Sequence, residues 1–105
     1  MKLLKLFKKK YPGCILIFRM GENYETFYKD AEVCSKILGV SLTIRNKQNR
    51  FIPFVNILSC AIESCIRRLV AANCKIVVFE QMETRNSMMD ITRRDVVRVV
   101  VPNLI

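Results

Sequence analysis

No histidine occurs anywhere in the 105 residues. The commonest general acid–base side chain and the commonest metal-binding imidazole are therefore both missing. The five cysteines, Cys14, Cys34, Cys60, Cys65 and Cys74, are odd in number, and no two form a Cys-x-x-Cys pair. That spacing does not make a zinc site and does not suit a disulfide framework. Most of them stand among apolar neighbours and read as small core residues in a reducing, intracellular setting. No Gly-x-x-x-x-Gly-Lys loop is present to cradle nucleotide phosphates, so the sequence offers no ATPase motif and no catalytic constellation. We expect a non-enzyme that needs neither metal nor cofactor. Long hydrophobic runs are also lacking. Residues 14–18 and 76–79 are apolar, but neither run approaches the ~20 residues needed to cross a bilayer. The opening segment, residues 1–10, is basic yet too short and too interrupted for a secretory core, and its cations are all lysines.

What is present is apolar bulk and positive charge. Apolar residues make up 51% of the chain, with only three Gly and three Pro, a balance that suits one folded domain over residues 1–105 rather than a disordered tail. Eighteen Lys and Arg oppose nine Asp and Glu, a formal +9. The excess is uneven. Residues 1–50 carry eleven basic and four acidic side chains, a balance of +7, and residues 51–105 carry seven and five, a balance of +2. A basic first half of this kind favours a polyanion such as nucleic acid.

The hydrophobic pattern alternates between two periods. Leu3, Leu4 and Phe7 share a helical face among lysines, and Tyr11-Pro12-Gly13 ends that helix. Residues 14–19 read as a buried strand that breaks at Gly21. From Asn23 the spacing of Tyr24, Phe27, Tyr28, Ala31, Cys34 and Leu38 predicts a helix closed by Gly39, with Asn23 as a plausible N-cap and Glu25 in the first turn. Residues 40–44 read as a strand and residues 45–50 as a polar, basic loop or hairpin tip. Residues 51–57 read as an edge strand, because Pro53 cannot donate to a ladder. Ser59 is placed as the N-cap of a second long helix whose inner face is Ile62, Cys65, Ile66, Leu69 and Val70. A strand over 75–79, a polar loop with room for one helical turn over 80–92, and a last strand over 96–101 complete the reading. Strands alternating with helices predict an α/β fold, a mixed β-sheet flanked by α-helices.

One stretch carries more than periodicity. Phe18-Arg19-Met20-Gly21-Glu22-Asn23-Tyr24-Glu25-Thr26-Phe27-Tyr28 resembles the signature that opens MutS-type mismatch repair proteins. There a strand ends in Arg-Met-Gly and is followed by Asp-Phe-Tyr-Glu and an aromatic. Asp30-Ala31, Leu38-Gly39-Val40-Ser41-Leu42-Thr43, Ile52-Pro53, Leu69-Val70, Glu80-Gln81 and Val97-Arg98-Val99-Val100-Val101-Pro102 follow in the same order and spacing. Together they make nearly the whole chain resemble the N-terminal mismatch-recognition domain, domain I, of that family.

The resemblance implies DNA binding in mismatch repair. Its partners are mismatched or damaged double-stranded DNA, together with further MutS domains or a MutS-like partner, and no membrane. Its setting is intracellular, the cytoplasm or nucleoid in a bacterium. ATP binding belongs only to a full-length family member. In the family a Phe-x-Glu element at the start of the first long helix wedges a ring against the mispaired base and hydrogen-bonds to it. Carried over, the Glu is Glu25 and the Phe position holds Asn23, which offers hydrogen bonds but little stacking surface. A second departure puts Asn56, Leu58 and Cys60 where the family has Gly, Pro and His. Arg45, Lys47 and Arg50 complete the expected DNA-binding set as phosphate contacts. Lys8, Lys9 and Lys10 read as a solvated helix end, with contact to phosphate or anionic lipid as the alternative. The departures keep an alternative open: a non-discriminating DNA-binding or protein-interaction module that retains the fold.

Overall fold

A computed structural model of the chain describes residues 2–80, 83–84, 91–92 and 97–102. The expected α/β architecture is present: a six-stranded sheet whose strands lie in the order Thr43–Lys47, Arg50–Ile57, Asn23–Phe27, Cys14–Met20, Lys75–Phe79 and Val97–Val100, with one parallel pair among the described residues, Cys14–Met20 with Lys75–Phe79. Helix α1, Lys2–Lys10, leads in and ends in three lysines, which complement the partial negative charge of a helix C-terminus. Its Phe7 is buried, with ring centroids 4.4 Å from Phe79 and 6.0 Å from Phe18. Tyr11 and Pro12 then turn the chain into β1, Cys14–Met20.

The chain from Asn23 is not helical. β2, Asn23–Phe27, folds straight back on β1, pairing Met20 with Asn23 and Phe18 with Glu25. The cause is the two-residue turn Gly21-Glu22. Gly21 at φ +70 takes the left-handed conformation at the first turn position that a type II′ hairpin requires. Helix α2 starts only at Tyr28 and runs to Leu38. Gly39 ends it as expected, in the left-handed region with its N–H donating to the Ser35 carbonyl at 2.9 Å.

β3, Thr43–Lys47, and β4, Arg50–Ile57, form a hairpin whose turn residues Gln48 and Asn49 both have positive φ, a type I′ geometry. Of the loop or hairpin tip expected over residues 45–50, the hairpin tip is present, with Arg45 and Lys47 on its first strand, and residues 40–42 precede that strand. β4 is not an edge strand either, since it pairs with both β3 and β2. The β2 ladder stops at the Phe27–Phe54 pair, so Pro53 stands where β4 has only β3 beside it. The missing N–H is tolerated there for the reason that suggested an edge.

Ser59 opens a 3-10 turn, Ser59–Ala61, and makes no side-chain cap; α3 follows over Ile62–Ala71. β5, Lys75–Phe79, runs parallel beside β1, and β8, Val97–Val100, pairs antiparallel with it at the sheet's edge. Between them β6, Glu83–Thr84, and β7, Ile91–Thr92, make a separate two-stranded ladder in the segment expected to be loop; the helical turn allowed for there, and Val96, lie outside the described residues.

Two cores result, one on each face. On the first, α2 and α3 bury Cys34, Leu38, Ile66 and Leu69 against Ile17, Val55, Ile76 and Val78 of the sheet. On the second, α1 covers an aromatic cluster in which Phe18 and Phe79 stack at 4.8 Å. The buried hydroxyl of Thr26 donates to the Leu16 carbonyl at 2.8 Å, and among the described residues no buried side-chain polar atom lacks a partner.

Candidate nucleic-acid interface

The placement of the expected contact residues follows from strand geometry alone. Side chains alternate faces along a strand, and directly paired residues share a face. On β2 this separates Asn23, Glu25 and Phe27 from Tyr24 and Thr26. Phe27 pairs with Phe54, Arg45 with Ile52, and Lys47 with Arg50. Phe27 and Ile52 belong to the cluster under α1. All five expected residues, Asn23, Glu25, Arg45, Lys47 and Arg50, thus emerge on the α1 side of the sheet, although they come from three strands. α1 is short and covers only part of that side.

Glu25 and Arg45 meet there. The guanidinium donates to both carboxylate oxygens, at 3.3 and 3.1 Å. The Glu25 side chain is only 13% exposed and that of Arg45 is 34% exposed. A two-pronged, charge-assisted pair of this kind holds both groups in one orientation. Arg45 also lies 4.0 Å from the centroid of the Phe54 ring, so its plane has an aromatic neighbour as well as an anionic one. Asn56 pairs with Glu25 across the ladder and shares its face.

Asn23 is not a helix cap. Its Oδ1 accepts the Ser59 backbone N–H at 3.3 Å, tying the start of β2 to the 3-10 turn. That leaves its amide N–H groups as the donors facing outward; among the described residues they make no hydrogen bond. Tyr24 is buried on the α2/α3 face as a strand residue, rather than along the helical stripe that its spacing predicted. Its hydroxyl donates to Glu80 at 2.7 Å. Burial, reinforced by that bond to a carboxylate, raises its pKa above 10.0.

The sequence reading missed Phe54 and Asn56 as members of this surface. The signal that could have found them is the period of two, counted outward from Glu25 once β2 is known to be a strand. Arg50 differs from the other four residues. It turns toward α1 and lines a cavity with Lys5, Lys9 and Lys29. Among the described residues no helix is long and apolar enough to span a membrane, and no three His, Cys, Asp or Glu side chains gather as a metal site.

Comparison with known proteins identifies the family. The family described as MutS domain I matches residues 1–105. The DNA mismatch repair protein MutS of Aquifex pyrophilus is 41% identical over 98 residues, covering 91% of this chain and 12% of its own length. The proteins of the same name from Desulforapulum autotrophicum and Macrococcus caseolyticus are 41% and 37% identical, each covering 93% of this chain and 11% and 12% of their own lengths. The chain thus spans about an eighth of these relatives. With the family matched from the first residue to the last, and with relatives near 40% identity aligned along almost all of it, the chain belongs to the MutS domain I family.

Proposed function

We propose that the domain binds duplex DNA in mismatch repair through the open part of the α1-side sheet face. The observation that carries this reading is the convergence of Asn23, Glu25, Arg45, Lys47 and Arg50 on that face, in a chain whose formal charge is +9. Lys47 and Arg50 hold backbone phosphate and set the register. Asn23 presents amide donors, which suit the acceptors that every base pair displays in the minor groove. Glu25 accepts a hydrogen bond from the exposed edge of a mispaired base. In the free chain Arg45 occupies that carboxylate. Phosphate competes for the same guanidinium, so Arg45 and Glu25 part when DNA arrives. Further MutS domains, in the same chain or a partner, supply any ATP-dependent step.

The test is a fluorescence-anisotropy titration with matched and single-mismatch duplexes at low and near-physiological salt. The expected preference for the mismatch is about tenfold, or about 1.4 kcal/mol, and Glu25→Ala abolishes it while leaving salt-sensitive binding. Equal binding of both duplexes by the unaltered chain overturns mismatch sensing. One feature favours that second reading, a domain that grips phosphate without discriminating: Asn23 has no ring to insert beside a base. Asn23→Phe then confers the missing preference.

A further inference from the structure

Between α1, the β2–α2 junction and the β3–β4 hairpin lies a cavity of about 550 Å³, within the roughly 300–1,000 Å³ range of small-molecule sites. Five cations line it: Lys5, Lys8 and Lys9 from α1, Lys29 from α2, and Arg50 from β4. Among the described residues Asp30 is the one carboxylate in its wall, and it is already satisfied. Lys8 binds it at 3.0 Å, and the Leu16 N–H donates to it at 3.1 Å. Lys5, Lys9, Lys29 and Arg50 are left; among the described residues none of them has an acidic partner within 4.0 Å. Four like charges from segments far apart in sequence repel one another, and the nearby Asp30 carboxylate is already taken by Lys8. An anion in their midst reverses that sign.

The cavity also has an aromatic side. Phe27 is buried in it, and Tyr28, 37% exposed, stands at its edge. Tyr28 has φ +56, a left-handed conformation that is strained for a bulky residue. Held there, it begins α2 immediately after β2 with no loop between, and it lines the cation cluster.

We propose that this cavity is a nucleotide site: the phosphate ester lies among Lys5, Lys9, Lys29 and Arg50, and the base stacks on Tyr28. The ligand is a nucleoside phosphate, either free or part of a DNA strand. The inference stands on the cavity and does not depend on whether the Asn23 face senses mismatches.

Titration of the ¹⁵N-labelled chain with inorganic phosphate and with deoxyadenosine monophosphate tests it by NMR. Both ligands shift the amides of Tyr28, Lys29 and Arg50 saturably, and the nucleotide binds at least fivefold more tightly. Lys9→Glu with Lys29→Glu weakens both at least tenfold; these side chains are exposed, so circular dichroism stays unchanged. The control pair Lys36→Glu with Lys75→Glu, away from the cavity, has little effect. Tyr28→Gly keeps phosphate binding and removes the nucleotide's advantage. Tyr28→Asn, which also tolerates positive φ, repeats the test if the glycine variant fails to fold. Absence of saturable shifts at these amides up to about 10 mM, an affinity weaker than about 3 kcal/mol, overturns the site. So does binding that survives the double charge reversal. Once binding is seen, a matched duplex separates the sources. A tenfold loss of duplex affinity beyond the control pair identifies the DNA backbone, and no loss identifies free nucleotide. A chain that binds nucleotide but no duplex keeps this site while removing the DNA-binding proposal.

Discussion

The two faces of the sheet are covered unequally. On one face, α2 and α3 lie side by side and bury an aliphatic core down to Cys34 and Leu69, both fully inaccessible. On the other, the nine residues of α1 cover one aromatic cluster and stop. Beyond α1 the strands present Asn23, Glu25, Asn56, Arg45 and Lys47. The same strands serve both faces, because alternate residues point opposite ways. Over β2, buried packing and open polar surface are thus divided by face as well as by segment. Within the five residues of β2, Tyr24 and Thr26 belong to the core and Asn23 and Glu25 to the surface.

If that division holds, damage to one face leaves the other's role intact. The largest effect is expected from Leu69→Ala on α3. Removing a fully buried leucine costs about 2–5 kcal/mol, read as a lower urea midpoint, while the folded fraction keeps its affinity for duplex DNA. A parallel loss of affinity per folded molecule breaks the comparison.

Alkali provides the next test. Burial, with Asp30 adding to it, pushes the Cys34 thiol up to about 12 from an ordinary 9.0. Burial shifts Cys65 upward too, and Tyr24 is raised by burial and its bond to Glu80. All three belong to the α2/α3 core. A group whose folded pKa is raised contributes its full stability below the unfolded value and loses it as pH climbs toward the folded one. Stability should therefore fall above pH 9 by about 1.4 kcal/mol per unit for Cys34 alone, and Cys34→Ala should flatten that slope in urea melts at pH 9 to 11. An unchanged slope places the titrating group elsewhere.

On the open face, Arg45→Ala leaves the nearly buried Glu25 carboxylate without its partner. A loss of about 1–3 kcal/mol is expected, partly recovered in Arg45→Ala with Glu25→Gln. Full additivity of the two changes in denaturant melts contradicts a direct coupling. The smallest effect belongs to Arg98 and Glu63, which pair at 2.6 Å between β8 and α3 with 39% and 55% of their side chains exposed. Arg98→Ala should change stability by about 1 kcal/mol or less, and the loss should shrink in high salt.

The legible and illegible parts of the sequence divide along the same physical line. α1, β1, α3 and β5 could be read directly, since each carries one unambiguous period bounded by Pro, Gly or Asn. β2 could not. Tyr24, Phe27, Tyr28 and Ala31 satisfy a helical spacing, and they satisfy equally well a strand followed by a helix. Arg45 and Lys47 looked like loop because β3 is a polar edge strand, exposed along most of its length. Of the proposed site, Asn23 and Glu25 were named through the family resemblance and Arg45, Lys47 and Arg50 as a basic cluster, but not the Glu25–Arg45 pair, the Phe54 ring beside it or the cation-lined cavity.

Composition and local pattern by themselves determined the charge, the apolar stripes, the α/β class and the absence of an ATPase motif, because each of these depends only on which residues occur and how they are spaced. Tertiary structure alone decided that β2 is a strand, through the Gly21 hairpin and its register with β1 and β4. Register then decided which side chains share a face. A slip of one residue sends every side chain of a strand to the other side, so the meeting of Glu25 with Arg45, 20 positions apart, comes from pairing between strands that no local pattern encodes.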